Sequence, residues 1–140
     1  KLNILLRNVI KSDWDYILTL RNNKKFKNNF IEQHEISKKE HYNYLENQKS
    51  NSNFFNWIIC YGKIRAGYIR ILDNDVSIII DEKFHNMGIG SKSLKMLEIE
   101  SKSLGISKLV GKVLCENKSS EKIFQKNDYK LKMYWFEKEI

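Results

Sequence analysis

The chain has 140 residues, 30% charged and 41% hydrophobic, which suits one soluble domain with a single core rather than two. No apolar run approaches the ~20 residues of a membrane span and no charged-then-apolar leader opens the sequence, so a cytoplasmic protein away from membranes is expected. The net charge of +8 favours anionic partners in a general way, but it is carried mostly by lysine and no helix clusters arginine, so nucleic acid is not an expected partner.

The first expected element is a strand over Leu2 to Val9, with Ile4 and Leu6 sharing a face. Ser12 and Asp13 are good helix N-caps, and Trp14, Ile17, Leu18 and Leu20 follow as a helical stripe. Arg21 to Asn29 is basic and amide-rich and reads as a loop or broken helix. Ser37 opens a second helix, with Glu40 three residues on as a capping box and His41, Tyr44 and Leu45 as its stripe. Phe54 to Tyr61 and Ile64 to Leu72 read as two strands hinged at Gly62, and Val76 to Asp81 as a fourth strand after the Asp73-Asn74-Asp75 turn. Gly88 to Leu104 is a third helix stopped by Gly105. A strand over Lys108 to Cys115, a short helix over Ser119 to Lys126 and a last strand over Tyr129 to Glu139 complete the chain. A three-strand meander pairs antiparallel, whereas strand–helix–strand across residues 76–115 needs a parallel crossover. The expected product is a mixed sheet with helices on both faces.

The most telling stretch is the buried strand that ends in His85-Asn86-Met87-Gly88-Ile89-Gly90-Ser91. Glycines opening a helix just after a strand leave free N–H groups and a positive dipole end pointing at one spot, which suits a phosphate. Cys60 and Cys115 both sit in apolar strand-like runs and read as buried free thiols. His34, His41 and His85 are scattered, and no metal-ligand spacing is present.

This element order resembles the GNAT superfamily of acyl-CoA-dependent N-acyltransferases over nearly the whole chain. One family signature is Arg or Gln, two residues, Gly, one residue, then Gly or Ala; His85 to Gly90 fits it apart from His85. A second is matched by Val113, Asn117, Ser120, Phe124 and Lys126, with Asp128-Tyr129 in place of Gly-Phe. The N-terminal part, through Leu6-Arg7, Asp13, Arg21-Asn22, Asn29-Phe30, Ile36 and Glu40-His41, is similar to sugar-nucleotide N-acetyltransferases of the pseudaminic-acid pathway type, although ribosomal-protein N-terminal acetyltransferases share part of it. The resemblance implies a single domain over residues 1–140 with an α/β (mixed α+β) fold: a central, mixed, mostly antiparallel twisted sheet of six to seven strands flanked by about four helices.

By the same resemblance the cofactor is acetyl-CoA. Ile78, Ile79 and Ile80 would pair with its pantetheine arm. His85, Asn86, Met87, Gly88, Ile89, Gly90 and Ser91 would form the diphosphate loop, and Asn117, Ser120, Phe124 and Lys126 would line the arm from the other side. The acceptor would be a small-molecule amine, expected to be a nucleotide-linked amino sugar, with protein N-termini or lysines and a CoA-binding module without turnover as alternatives. A monomer or a homodimer is expected. Arg21, Asn22, Asn29, Phe30 and His41 are the candidate acceptor contacts. Arg21 suits a diphosphate by its forked donors. The family's acid and base positions hold Phe124 and Lys112, which cannot take those roles here. The remaining catalytic candidates are a main-chain N–H at Ile80 for the oxyanion, and Glu116, His41 and Tyr129, with His34 beside them, for the proton. A thiol pKa near ~8.5 makes the leaving group tolerant of a missing acid.

Overall fold

The computed structural model of the protein describes residues 3–24 and 34–140. Aromatic and β-branched residues dominate 54–72, and they form the hairpin at the centre of the sheet, β2 (Phe54–Tyr61) and β3 (Ile64–Leu72). β1 (Ile4–Asn8) pairs antiparallel with β2, and β4 (Asp75–Ile80) pairs antiparallel with β3. The chain then passes through a 3-10 turn (Glu82–Phe84) and α3 (Ile89–Ser103) and returns as β5 (Val110–Gly111), parallel to β4. Strand order is therefore β1-β2-β3-β4-β5.

The two faces separate by the strand period of two. Ile58, Cys60, Tyr68 and Ile79 face α1 (Trp14–Arg21) and α2 (Lys38–Gln48), which contribute Trp14, Ile17, Leu20 and Leu45. Trp57, Ile59, Ile69, Ile71 and Val76 face α3 and α4 (Lys118–Lys126), which contribute Ile89, Leu94, Leu97 and Phe124. Burying each such side chain is worth about 1.5–3 kcal/mol. Ser37 caps α2, its hydroxyl accepting from Glu40 N–H at 3.1 Å.

Several expectations need correction. The sheet has five strands among the described residues, not six to seven. Residues 130–140 are exposed throughout and join no ladder, so Tyr129 to Glu139 is not a sheet strand; strand propensity alone does not supply a pairing edge. The strand expected over Lys108 to Cys115 shrinks to Val110–Gly111, because the chain leaves β4 after that pair, and Cys115 is exposed rather than buried. Asp13 does not cap α1 from outside. It lies in the preceding 3-10 turn (Lys11–Asp13), and its carboxylate reaches back to Ile10 N–H at 2.9 Å. That carboxylate is buried and takes a two-pronged bond from Arg7, at 2.9 Å on each oxygen, with Arg65 at 3.4 Å.

Candidate active site

The outer edge of β4 is the first component. Asp81 N–H donates to Ala66 O at 2.8 Å, and Ile80 stands opposite Gly67. Antiparallel alternation then turns the main-chain groups of Ser77 and Ile79 toward β3, and those of Ile78 and Ile80 the other way. β5 covers that outer edge only at Asp75 and Val76. Beyond it, the Ile80 carbonyl accepts from His85 Nε2 at 2.9 Å, while the N–H groups of Ile78 and Ile80 and the Ile78 carbonyl face the gap left by β5. An extended amide-bearing arm can pair there as a short strand.

The gap leads into the turn before α3. Asn86 and Gly88 both hold left-handed backbone, φ 63° and 78°. Asn tolerates that conformation and Gly adopts it at no cost. Gly88 is the N-cap, without a side-chain cap bond and without an acid in the first turn. The first helical bond runs from Lys92 N–H to Gly88 O at 3.2 Å, so the N–H groups of Ile89, Gly90 and Ser91 have no helical acceptor. These donors at a positive dipole end suit a diphosphate. Gly90 has a second reason to lack a side chain: a Cβ there would sit 3.1 Å from the Ile123 side chain of α4. The Ser91 hydroxyl accepts from Asn127 at the end of α4 (3.1 Å), so its side chain joins helices while its N–H stays in the turn.

Across the gap stands the start of α4. Asn117 caps it, its side-chain oxygen accepting from Ser120 N–H and from the Ser119 hydroxyl, both at 3.2 Å. Its amide nitrogen makes no bond among the described residues, so capping and a hydrogen bond to the arm are compatible. Phe124 is buried, its ring lying on Gly111, where a Cβ would come within 2.6 Å, and edge-on to Tyr129 at 4.8 Å. It is a core residue. The Tyr129 hydroxyl is buried without a hydrogen-bond partner among the described residues; burial, then the Glu98 charge, push its pKa up to about 12. It lies on the α3–α4 side. Glu116, Lys112 and Lys126 are exposed.

On the opposite face a cavity of about 320 Å³ lies between α1, α2 and β3, lined among others by Arg21, His41, Tyr44, Tyr68 and Arg70. Arg70 stands opposite Ser77 and Tyr68 opposite Ile79, so the cavity backs onto the segment of β4 beside the gap. His41 is buried and contacts the Trp14 carbonyl through Nε2 at 2.8 Å. A carbonyl only accepts, so Nε2 carries the proton and Nδ1 of the neutral ring is the acceptor. Burial first, then the charge of Arg21, hold its pKa below the usual 6.5. His34, also lining the cavity, pairs with Glu40 at 2.9 Å. Asn22 is committed elsewhere: its amide donates to Ile36 O at 2.8 Å and accepts from Ile36 N–H at 3.0 Å, clasping the two ends of the connection between α1 and α2. Asn29 and Phe30 lie outside the described residues.

The structure thus joins Arg21 and His41 in one cavity and Ile78 to Ser91 in one groove, and leaves Glu116 and Tyr129 apart from the cavity. Sequence reasoning missed Tyr68, Arg70 and Tyr44. The usable signal was Tyr68 and Arg70 two apart on the same strand, a polar pair sharing one face. It also missed the Tyr16 hydroxyl donating to Asp81 at 3.2 Å, which fastens α1 to the end of β4.

The groove along an abandoned strand edge, ending at a bare helix N-terminus, agrees with the sequence match to the Acetyltransferase (GNAT) domain over residues 3–130. The chain belongs to that family. It is an acetyl-CoA-dependent acetyltransferase, and the donor set of the groove fits that cofactor: strand-edge amides for the arm, turn amides for the diphosphate. Solved structures share the fold. A domain from Methanocaldococcus jannaschii DSM 2661 is 22% identical with TM-score 0.82, covering 93% of this chain and 90% of that one. Spermidine N-acetyltransferase from Vibrio cholerae, in complex with CoA and spermine, is 18% identical with TM-score 0.78 over 88% and 78%. RimL, a ribosomal-protein alpha-N-protein acetyltransferase in complex with CoA, is 20% identical with TM-score 0.79 over 93% and 81%. At these identities the likeness is one of fold. No curated protein matches the chain in sequence.

Proposed function

We propose that this GNAT domain, spanning residues 1–140, transfers acetyl from acetyl-CoA to the primary amine of a small acceptor in the cytoplasm, and that the acceptor is a nucleotide-linked amino sugar. The observation that carries the reading is the cavity of about 320 Å³, with Tyr44 and Tyr68 in its wall, backing onto β4. That volume lies at the small-ligand end of the usual range of ~300–1,000 Å³.

Acetyl-CoA supplies the acyl group as a thioester with a good leaving group. Ile78 and Ser91 mark the two ends of the main-chain donor row that would hold it. The Ile80 N–H, facing the gap, is the donor for charge developing on the thioester oxygen, a contribution typically worth ~3–4 kcal/mol of barrier. His41 is the base: neutral at pH 7, with Nδ1 able to take the proton of the acceptor's ammonium group. Glu116 is too exposed to compete, and Tyr129 is turned into the α3–α4 interior with its proton firmly held. No group is needed to protonate the thiolate near neutral pH.

The test is thiol release from acetyl-CoA against a panel of amines that includes UDP-linked 4-amino sugars, free amino sugars and a ribosomal-protein N-terminal peptide. Turnover of the UDP sugars at kcat/KM at least tenfold above the others supports the acceptor assignment. Preference for the peptide overturns it.

A further inference from the structure

The start of α1 touches both flanks of the reaction. The Trp14 carbonyl accepts from His41 Nε2 at 2.8 Å, which fixes the ring of the base. Two residues on, the Tyr16 hydroxyl donates to the Asp81 carboxylate at 3.2 Å. Asp81 directly follows Ile80, whose N–H is the donor assigned to the thioester oxygen. The base comes from α2 and the oxyanion donor from β4, and one turn of α1 is bonded to each.

Both ends of the Tyr16–Asp81 bond are held. At the exit of β4, Asp81 N–H donates to Ala66 O at 2.8 Å, and Phe84 N–H donates to Asp81 O at 2.9 Å. The other carboxylate oxygen of Asp81 accepts from Lys83 N–H at 3.2 Å. A shift of Asp81 therefore carries Ile80 and the following turn with it. At the other end, the Arg65 guanidinium lies over the Tyr16 ring, 4.4 Å from its centroid, and reaches the Asp13 carboxylate at 3.4 Å. Burial first, then the charge of Asp81, raise the Tyr16 pKa, so the hydroxyl keeps its proton and stays the donor around neutral pH. Trp14, Ile17 and Leu20 also pack α1 onto the sheet, but apolar contact is non-directional and tolerates sliding, whereas a hydrogen bond does not.

We propose that Tyr16 and Asp81 are positioning residues for acetyl transfer: their hydrogen bond sets α1, and with it His41, against the end of β4, and with it the Ile80 N–H. This rests on the acetyl-transfer reading above and deepens it by naming the contact that spaces the base from the oxyanion donor. Reacting groups must be held to within about 0.5 Å, and a misplacement of ~1 Å can cost ~10²-fold in rate. Tyr16 is neither acid nor base in this scheme, because its proton is committed to Asp81.

The test uses the full chain and Tyr16→Phe, which removes one hydroxyl and keeps the ring beneath Arg65. Coenzyme A should slow amide exchange over residues 14–21 of the unmodified protein by about threefold, and Tyr16→Phe should lose that protection while calorimetry still registers coenzyme A. With the fastest amine of the panel above as acceptor, Tyr16→Phe should lower kcat about tenfold, leave the KM for acetyl-CoA within about twofold, and leave the acid limb of the pH profile where it was. Asp81→Asn keeps one oxygen able to accept and should lose less. Combining it with Tyr16→Phe should cost no more than Tyr16→Phe alone, because both changes break one contact. A lowered melting temperature with unchanged kcat marks a bond that only supports the fold, and overturns the proposal. So do additive losses in the double variant, or equal protection of residues 14–21 in both proteins. Failure of coenzyme A itself to give heat would instead overturn the acetyl-transfer reading.

Discussion

His41 and Asp13 are both buried polar residues in the first half of the chain, and their physics points opposite ways. His41 is kept neutral by burial and by Arg21, so its pKa lies below 6.5. A base that must be neutral makes kcat/KM fall on the acid side with an apparent pKa below 6.5, while the alkaline side stays flat through pH 8. His41→Gln, which retains a donor for the Trp14 carbonyl, is expected to lower kcat by about 10²–10⁴, to abolish that acid limb and to leave the KM for acetyl-CoA unchanged. Asp13 is kept charged. Burial opposes ionisation, but the fork of Arg7, the Ile10 N–H and Arg65 together outweigh it and hold the carboxyl below its usual 3.8. A depressed carboxyl pKa stabilises the fold above about pH 4 and loses that contribution as pH falls through the folded-state value. Breaking one partner of a buried pair costs about 3–5 kcal/mol, and solvent around the half-exposed arginines reduces this to about 2–3. Asp13→Ala should therefore lower the melting temperature by roughly 5–10 °C at pH 7, with the gap to the unmodified protein closing below pH 4.

At the scale of elements, β5 and α4 are joined through one contact. The Phe124 ring occupies the space that a side chain at Gly111 would fill. Gly111→Ala is expected to cost about 1–3 kcal/mol by overpacking, read from denaturant midpoints, and Phe124→Leu in the same chain should recover part of the loss because the two changes share one space. This pair also marks where sequence reading stops. The hairpin, the capping box at Ser37 and the glycine turn were legible because periodicity, caps and turn chemistry are local. The extent of β5 was not, because Lys108 to Cys115 has strand composition and only the departure of the chain from β4 ends the ladder. Tyr129 to Glu139 misled for the same reason: alternation of apolar residues gives a strand its faces but not its neighbour. The bare start of α3 was legible because main-chain amides at a Gly-opened helix announce themselves. The cavity between α1, α2 and β3 was half legible. Arg21 and His41 were visible on their helices, but Tyr68 and Arg70 come from a strand well beyond both helices in the chain, and nothing local says they share a chamber.

For the whole molecule, the groove spans strand edge, turn and helix start, so filling it ties together elements distant in sequence. Acetyl-CoA at a hundred times its dissociation constant should stabilise the fold by about 2.7 kcal/mol, a rise of roughly 5–10 °C in melting temperature. Pantetheine alone, lacking the diphosphate that the turn N–H groups address, should give less than half of that shift. The Asn22 clasp on Ile36 has a different reach. By closing the base of the connection between α1 and α2, it separates the register of those helices from whatever residues lie between its two ends. Closing a longer loop costs only ~0.6 kcal/mol per doubling. A change in the length of that connection is therefore expected to leave the register of α1 and α2 intact.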